Sequence, residues 1–243
     1  ALVAARLDGL PAPERRVLQD ASVLGKTFTR TALAAVATGE PELDPLLGSL
    51  VRKEILVLQA DPRSPERGQY GFLQDLLRQV AYDTLARGER KSRHLAAASH
   101  LEQQWLDGEQ DLVEIVAYHL LAALALEPSA ADAAEIGARA LTTLTRAGER
   151  AAALAATEGA QRFFEQALDL ADGAVTEAEL HERAGRMAML GRRTPEARSH
   201  FERAIMLYET VGRPAAGVRV SAQLGVLTWI QEGDIERATV DMQ

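Results

Sequence analysis

The chain has 243 residues, of which 47% are hydrophobic and 26% charged, and its formal net charge is −8 at pH 7. This composition is typical of a globular protein with one large domain or two smaller ones. The negative charge disfavours DNA or an anionic membrane surface as the main partner, because binding to phosphates depends on Lys and Arg.

Three short helices are predicted between residues 11 and 58. The first begins at Pro11, where a missing N–H costs nothing, and ends at Gly25. Thr29 is a good N-cap for the second helix. The third is predicted from Leu43 to Lys53, where leucines recur at helical spacing.

The apolar period then changes from that of a helix to that of a strand. Two short, partly β-branched segments, Ile55–Gln59 and Gln69–Leu73, flank a loop that is rich in turn-forming residues. They predict one β-hairpin with a long tip, and no other regular β-structure in the chain. Three helices followed by a hairpin are the order of a winged-helix domain.

The chain after Asp75 is predicted to be helical, with breaks at Asp107-Gly108 and Glu127-Pro128. The fold class is therefore mainly α. A winged-helix-like domain with trailing helices is expected at residues 1–106, and a helical linker with repeats at residues 107–243. Residues 111–243 hold 13 basic and 20 acidic residues, which predicts an acidic second half that favours basic peptides or helices.

Two stretches after Ser129 align without a gap. Their matched residues, each pair 37 positions apart, are Gly148 and Gly185, Ala160 and Ala197, Phe164 and Phe201, and Ala167 and Ala204. Small residues where two helices cross, with an aromatic side chain between them, are typical of tetratricopeptide (TPR) repeats. The pattern predicts a TPR-like α-solenoid, with an irregular alanine-rich bundle as the alternative. A third copy is predicted from Leu224, with its inter-helix turn at Gly233, and the end of the chain truncates it.

The first helix of each TPR lines the concave side of the solenoid, so its exposed charges are candidates for partner binding. The candidate residues are Arg146, Arg150, Arg183, Arg186 and Arg219. Ordinary solvated helix charges are the alternative interpretation. Truncation of the third repeat is also expected to leave an apolar flank through which the chain self-associates, formed by Leu227, Trp229 and Ile230.

No residue pattern in the chain predicts catalysis. The string Leu24-Gly25-Lys26-Thr27 is similar to the end of a phosphate-binding loop, but that loop needs a glycine where Asp20 stands, a preceding strand and a following helix. No pair among the five histidines has the spacing of a zinc site, and the chain has no cysteine. We therefore expect a non-enzymatic chain with no cofactor or metal.

A basic run at Arg87, Arg90, Lys91 and Arg93 is predicted to be a solvated helix start, with a DNA- or partner-docking patch as the alternative. The longest apolar run, residues 115–126, is shorter than the roughly 20 residues of a membrane span. We expect no membrane partner. The lack of cysteine fits a cytoplasmic location.

Three stretches resemble a known family. They are L-P-A-P-E-R-R-V-L-Q-D-A-S-V-L-G-K-T-F (residues 10–28), S-L-V-R-K-E-I-L (49–56) and F-L-Q-D-L-L-R-Q-V-A-Y-D-T-L (72–85). They are similar to the region after the ATPase in bacterial STAND-type regulators, which often also carry a nucleotide cyclase or a LuxR-type DNA-binding domain. The resemblance implies a winged helix that packs on the protein's own ATPase domain, and TPR repeats that bind an inducer or partner. It assigns no nucleotide-contacting residue, because no motif position here matches one.

The leading hypothesis is a regulatory interaction module of a multidomain signal-transduction ATPase, in which the TPRs bind a protein, peptide or effector. Because the chain starts without Met and stops within a predicted helix, we expect it to be a piece of that longer protein. The alternative is a DNA-binding winged-helix regulator with a TPR sensor. Nucleic acid is disfavoured as a partner because the first half is nearly neutral, and because Glu42 and Asp44 start the candidate recognition helix.

Overall fold

The computed structural model describes residues 6–7, 9–37, 39, 42–59, 68–106 and 112–241, and for residues 105–106 and 230–241 the backbone alone. The chain divides into two units, residues 1–136 and 137–243. The predicted domain boundary after residue 106 therefore lies inside the first unit. Both units are mainly helical, which confirms the mainly α fold class. Within the described residues, no helix has the length and apolar character needed to cross a membrane.

The described residues of the first unit form three short helices and three short strands, followed by three further helices. In chain order these are α1 (Ala12–Leu24), β1 (Thr27–Phe28), α2 (Arg30–Val36), α3 (Leu43–Arg52), β2 (Leu56–Leu58), β3 (Tyr70–Phe72), α4 (Asp75–Asp83), α5 (Arg87–Leu106) and α6 (Val113–Leu126). Gly25 follows α1 with a φ of 119°, which glycine adopts without steric cost. Thr29 Oγ1 accepts a hydrogen bond from Ala32 N at 3.1 Å and caps α2. The three helices predicted before residue 58 are confirmed.

The sheet corrects one prediction. β2 and β3 form the predicted hairpin, but β1 pairs antiparallel with β3, so the strand order is β1-β3-β2 and the expectation of a lone hairpin is wrong. The register places Thr27 opposite Gly71, and Leu56 opposite Phe72. A two-residue strand is too short to show a period of 2 in the sequence. Strand β1 contacts β3 through aromatic side chains, since the centre of the Phe28 ring lies 6.0 Å from the ring centres of Tyr70 and Phe72. The predicted hairpin tip at residues 60–67 lies outside the described residues.

The core of the first unit lies between the three short helices and the sheet. Its side chains include Val17, Leu18, Leu33, Leu47, Leu50 and Phe72, all buried. The long helix α5 is joined to this core by an ion pair, in which Arg93 Nε lies 2.5 Å from Asp20 Oδ1 on α1 and both side chains are buried. Loss of one partner from a buried ion pair typically costs about 3–5 kcal/mol. The trailing helix is therefore an integral part of the first unit.

The position of the unit boundary changes the expected distribution of charge. Residues 137–243 hold 13 basic and 15 acidic residues, a net charge of −2, whereas residues 111–136 hold five acidic residues and no basic one. Most of the acidity assigned to the repeats thus belongs to the end of the first unit. The predicted acidic solenoid is wrong for the second unit, which is close to neutral.

The second unit is a series of helices joined by short turns. These are α7 (Ala133–Ala153), α8 (Thr157–Leu168), α9 (Ala174–Leu190), α10 (Thr194–Thr210) and α11 (Pro214–Asp241). The turns after α7 and α9 have the same geometry. Ala155 and Arg192, 37 positions apart, have left-handed φ angles of 58° and 57°. In each turn the following N–H donates to a carbonyl five residues earlier, from Ala156 to Ala151 at 2.9 Å and from Arg193 to Ala188 at 2.8 Å. The backbone therefore repeats with the period that the sequence predicts.

A phenylalanine ring lies against a glycine in each copy. A Cβ added to Gly148 would come within 2.5 Å of the Phe164 ring, and one added to Gly185 within 2.7 Å of the Phe201 ring. Both rings are buried, and so are the four alanines predicted at the helix crossings, Ala160, Ala167, Ala197 and Ala204. The predicted burial of these residues is confirmed. Glycine is favoured at both positions because any side chain there would overlap with the ring.

The third copy differs from its prediction. α11 continues as one helix through Gly233, so the predicted turn there is wrong. A left-handed residue costs about 1–2 kcal/mol, which in the first two copies is offset by burial of the aromatic ring on the next helix. None of residues 234–243 is aromatic, and continuing a helix through a glycine costs only about 1 kcal/mol. Of the predicted apolar flank, Leu227 is buried and Trp229 is 74% exposed, while the side chain of Ile230 lies outside the described residues.

Adding one methyl group tests the contact between ring and glycine. In Gly185→Ala the gain in helix propensity, about 1 kcal/mol, is opposed by overpacking against Phe201 of about 1–3 kcal/mol. We expect a net decrease of roughly 1 kcal/mol in the free energy of unfolding, measured by urea titration. Gly159→Ala on α8 is the matched control, since no atom lies within 4 Å of its added Cβ. That variant should be more stable by about 0.5–1 kcal/mol, and equal effects at the two positions would contradict the contact.

Candidate functional site

The five arginines predicted to contact a partner lie on three helices. Arg146 and Arg150 are on α7, Arg183 and Arg186 on α9, and Arg219 on α11. Arg183 and Arg186 line one cavity of about 300 Å³, and Arg186 and Arg219 bind the same carboxylate. Arg146 and Arg150 are not among the residues that line this cavity. The structure therefore brings three of the five together.

The cavity combines apolar and charged side chains. Its lining consists of Ala152, Phe164 and Met187 together with Glu149, Arg183 and Arg186. Arg183 Nη1 donates to Glu149 Oε1 at 2.5 Å, and the Arg183 guanidinium lies 5.9 Å from the centre of the Phe164 ring. The volume is at the lower end of the roughly 300–1,000 Å³ that ligand pockets usually have. It has room for one apolar side chain of a partner, between charges of both signs.

Glu182 on α9 joins three helices through its carboxylate. It is 5% exposed and accepts hydrogen bonds from Arg219 at 2.8 and 3.2 Å, from Arg186 at 2.9 Å and from the Tyr208 hydroxyl at 2.9 Å. Tyr208 comes from α10 and Arg219 from α11. Of the predicted contact arginines, Arg219 thus joins α11 to α9, whereas Arg186 binds Glu182 within α9 itself.

The protonation states of this cluster follow from its contacts. Burial alone raises the pKa of Glu182, but the hydrogen bonds from Arg219 and Tyr208 and the nearby positive charges outweigh it and lower the pKa below 4.5. Burial and the bond to the Glu182 carboxylate raise the pKa of Tyr208 to about 12. At neutral pH the carboxylate stays ionised and the hydroxyl stays protonated. The cluster therefore has the charges that its hydrogen bonds between helices need.

Two histidine pairs have no local signal in the sequence. The Nδ1 atoms of His94 and His119 lie 2.9 Å apart, and so do those of His181 and His200, although the partners are 25 and 19 residues apart in the chain. Burial lowers the pKa of His181 and of His119 to about 4, so both are neutral at pH 7. Among the described residues, no group of three or more potential ligands could hold a metal ion.

The basic run in α5 is engaged within the first unit. Arg90 donates to two backbone carbonyls, Lys91 to two carboxylates and Arg93 to Asp20. Lys91 and Arg93 are buried, so the prediction of a solvated helix start is wrong for these two residues. Arg87 is exposed. Two of the four cations of the run are therefore engaged inside the unit and do not lie at its surface.

The string Gly25-Lys26-Thr27 runs from the end of helix α1 into strand β1. A phosphate-binding loop has the opposite order, a strand before the loop and a helix after it, so that the N–H groups of the helix start face the phosphates. Here the carbonyl of Lys26 instead accepts a hydrogen bond from Phe72 N at 2.9 Å. The string connects a helix to the sheet and lacks the geometry of a nucleotide loop.

No protein-family model, curated protein or solved structure matched the chain. Its function has to be inferred from the contacts of its own residues.

The carboxylate of Glu182 makes stability depend on pH. Its pKa in the folded chain is lower than in the unfolded chain, so its contribution is fully present above about pH 4.5 and is lost as the pH falls through the folded pKa. We expect Glu182→Gln to lose about 1–3 kcal/mol of unfolding free energy at pH 7. The difference from the wild type should shrink towards pH 3, as measured by urea unfolding across this range.

Glu179→Gln on the same helix is the control for this measurement. Glu179 lies 3.5 Å from Arg213 in an exposed pair, which typically contributes less than about 1 kcal/mol. If both variants lost the same stability, or if the Glu182→Gln difference did not depend on pH, the assigned role of Glu182 would be wrong.

Proposed function

We propose that this chain is a non-catalytic recognition module, with a winged-helix-like domain in the first unit and TPR-like repeats in the second. The repeats bind a protein or peptide through the face that carries the cavity at Phe164 and Arg183. That cavity is the observation that carries the proposal. Five of its six lining residues belong to α7 and α9, the first helices of two successive copies, which is where a TPR array recognises its partners, and the sixth is Phe164 on α8.

The TPR-like interpretation is supported by the repeated geometry. The left-handed turns and the two ring-on-glycine contacts all recur after 37 residues, and a TPR is a helix-turn-helix unit of similar length. Stacked repeats of this kind present the first helices on one side as an extended binding surface. Two copies with the same internal contacts are sufficient to build such a surface from α7 and α9.

The lining of the cavity indicates the chemistry of the partner. Burial of one aliphatic or aromatic side chain against Phe164, Met187 and Ala152 would contribute about 1.5–3 kcal/mol. Glu149 and Arg183 at the same cavity are partly exposed and have opposite charges. Such charges mainly set the orientation and selectivity of a bound segment. The preferred partner is therefore a peptide or helix with an apolar anchor that is flanked by both a basic and an acidic residue.

The winged-helix interpretation is supported by the order of elements in the first unit. Helix α1, strand β1, helices α2 and α3 and the hairpin β2–β3 follow each other, with β1 added to the hairpin through β3. The resemblance of residues 10–28, 49–56 and 72–85 to STAND-type regulators favours an intramolecular partner for this domain, the ATPase of a longer protein.

The contacts around α3 disfavour DNA as a partner of the winged helix. Lys53, just after α3, donates to both Glu14 oxygens at 2.5 and 2.8 Å, and Arg30 forms two bonds with Asp44 at 2.5 and 2.9 Å. Cations engaged by carboxylates would have to break these bonds in order to neutralise phosphates. We therefore assign the first unit to protein contact.

Peptide selection with two matched variants tests the proposal. Peptides are selected from a displayed random library on the wild-type chain, and their dissociation constants are measured by fluorescence polarisation. Ala152→Trp places an indole at the cavity and should weaken binding of the selected peptides by about tenfold or more, which is a loss of about 1.4 kcal/mol of binding free energy. Ala153→Trp, one position later on α7 and outside the lining, should leave affinity unchanged.

Two results would contradict the proposed function. One is a set of selected peptides that bind both variants equally, since they would recognise another surface. The other is turnover of ATP by the purified chain, which would make it an enzyme. Circular dichroism of both variants establishes that each retains its helices.

A further inference from the structure

We propose that the first unit contains a binding site for a neutral, largely apolar small molecule. The site is a second cavity, of about 340 Å³, lined by residues from the end of α1, from β1 and from α2, and by residues of α5 and α6. It is independent of the peptide-binding face, because every residue that lines it belongs to the first unit.

The lining has an apolar part and a polar part. The apolar side chains include Leu24, Phe28, Ala97, Leu101, Leu112 and Ile115. The polar ones include Thr27, Thr29, Gln69, His100, Gln104 and His119. Ile115 is 44% exposed, so the cavity is accessible from solvent on the α6 side. An apolar cavity with a few polar groups is the usual composition of a small-molecule site.

The charge of the lining selects among ligands. None of the 13 residues that line the cavity is Lys, Arg, Asp or Glu. Among these described lining residues a charged ligand would lose its hydration without gaining a counter-ion, which is strongly unfavourable. The cavity therefore favours a neutral molecule over an anion or a cation of the same shape.

One polar group of the lining belongs to a buried hydrogen-bonded chain. His119 is 1% exposed, its Nδ1 lies 2.9 Å from His94 Nδ1, and His94 Nε2 lies 3.0 Å from the Tyr82 hydroxyl. The chain runs across α4, α5 and α6. Burying these polar side chains has a desolvation free energy that an apolar contact between the same helices would not have.

The chain gives His119 an adaptable hydrogen-bonding atom. Burial lowers the pKa of His94 to about 3 and that of His119 to about 4, so both rings are neutral at pH 7. Only one of the two facing Nδ1 atoms can then carry a proton. If the Tyr82 hydroxyl donates to His94 Nε2, His94 Nδ1 donates to His119 Nδ1, and His119 Nε2 carries a hydrogen that it can donate to a ligand. If the Tyr82 hydroxyl instead accepts from His94 Nε2, each of these bonds reverses and His119 Nε2 accepts a hydrogen bond from a ligand. The ligand that fits has one polar group of either kind on an apolar body.

Two probes that differ by one charged group test the site in the full chain. N-phenyl-1-naphthylamine is neutral and apolar with a single N–H, and 1-anilinonaphthalene-8-sulfonate has the same rings and amine with an added sulfonate. Both increase in fluorescence in an apolar environment. We expect the neutral probe to bind with one-to-one stoichiometry, and about tenfold or more tightly than the sulfonate.

Variants locate the bound probe. Ala32→Leu fills the cavity from α2 and should weaken binding of the neutral probe about tenfold or more. Ala34 is exposed on the same helix and lies outside the lining, so Ala34→Leu should not change the affinity for the probe. His119→Leu removes the hydrogen-bonding atom and should weaken binding of the neutral probe by roughly two- to tenfold.

The inference is overturned if the neutral probe does not bind the wild type, or if it binds Ala32→Leu and Ala34→Leu equally. Equal binding of both probes to the wild type would overturn the preference for a neutral ligand. If His119→Leu does not fold, the comparison between the two alanine variants still decides the location of the site.

Discussion

The second unit depends on a contact between a phenylalanine ring and a glycine on the preceding helix. Phe164 lies against Gly148, and Phe201 against Gly185, so closely that even one added carbon would overlap with the ring. The contact positions the helices of each copy and is repeated after 37 residues. The Phe164 ring also lines the candidate peptide cavity, where the guanidinium of Arg183 lies 5.9 Å from its centre. The residue that makes the repeat pack is therefore also part of the surface that we propose for recognition.

Several charged side chains that the sequence predicts to be exposed to solvent or to a partner instead bind carboxylates within their own unit. Arg186 and Arg219 are bound by the buried carboxylate of Glu182, and Arg93 and Lys91 by carboxylates of the first unit. Except for that of Arg186, which lies within α9, these contacts fix helices relative to each other within each unit. Arg183, beside an exposed Glu149, is the predicted contact residue whose surroundings best fit recognition of a partner.

The predictable parts of this structure are those with a local signal. Gly25 and Thr29 mark helix ends by their residue type, and the spacing of Phe164 and Phe201 marks the period of the repeat. Where an element forms only because of a tertiary contact, the sequence has no local signal for it. Strand β1 has two residues and exists because Phe28 meets the rings of β3. The left-handed turn positions are occupied by Ala155 and Arg192, although glycine is the residue that such a position normally indicates.

In the candidate sites, too, residues with a local sequence signal could be predicted, and contacts between distant residues could not. The arginines on the first helices could be predicted from the repeat. The carboxylate partners of Arg183 and Arg219 lie 34 and 37 residues away in the chain and could not be predicted. The buried chain from Tyr82 through His94 to His119 joins three helices, and no spacing in the sequence brings those residues together.

Insertion of one additional repeat tests most directly whether the second unit is a modular stack. A copy of residues 177–213, inserted after Arg213, keeps the 37-residue register and supplies one more phenylalanine with its glycine. In a stack of repeats, each unit adds its own stability and its contact with the neighbour. The account predicts a folded chain with higher helix content per molecule, a steeper dependence of unfolding free energy on urea and greater stability. An unfolded or aggregated chain, or an unchanged urea dependence, would contradict it.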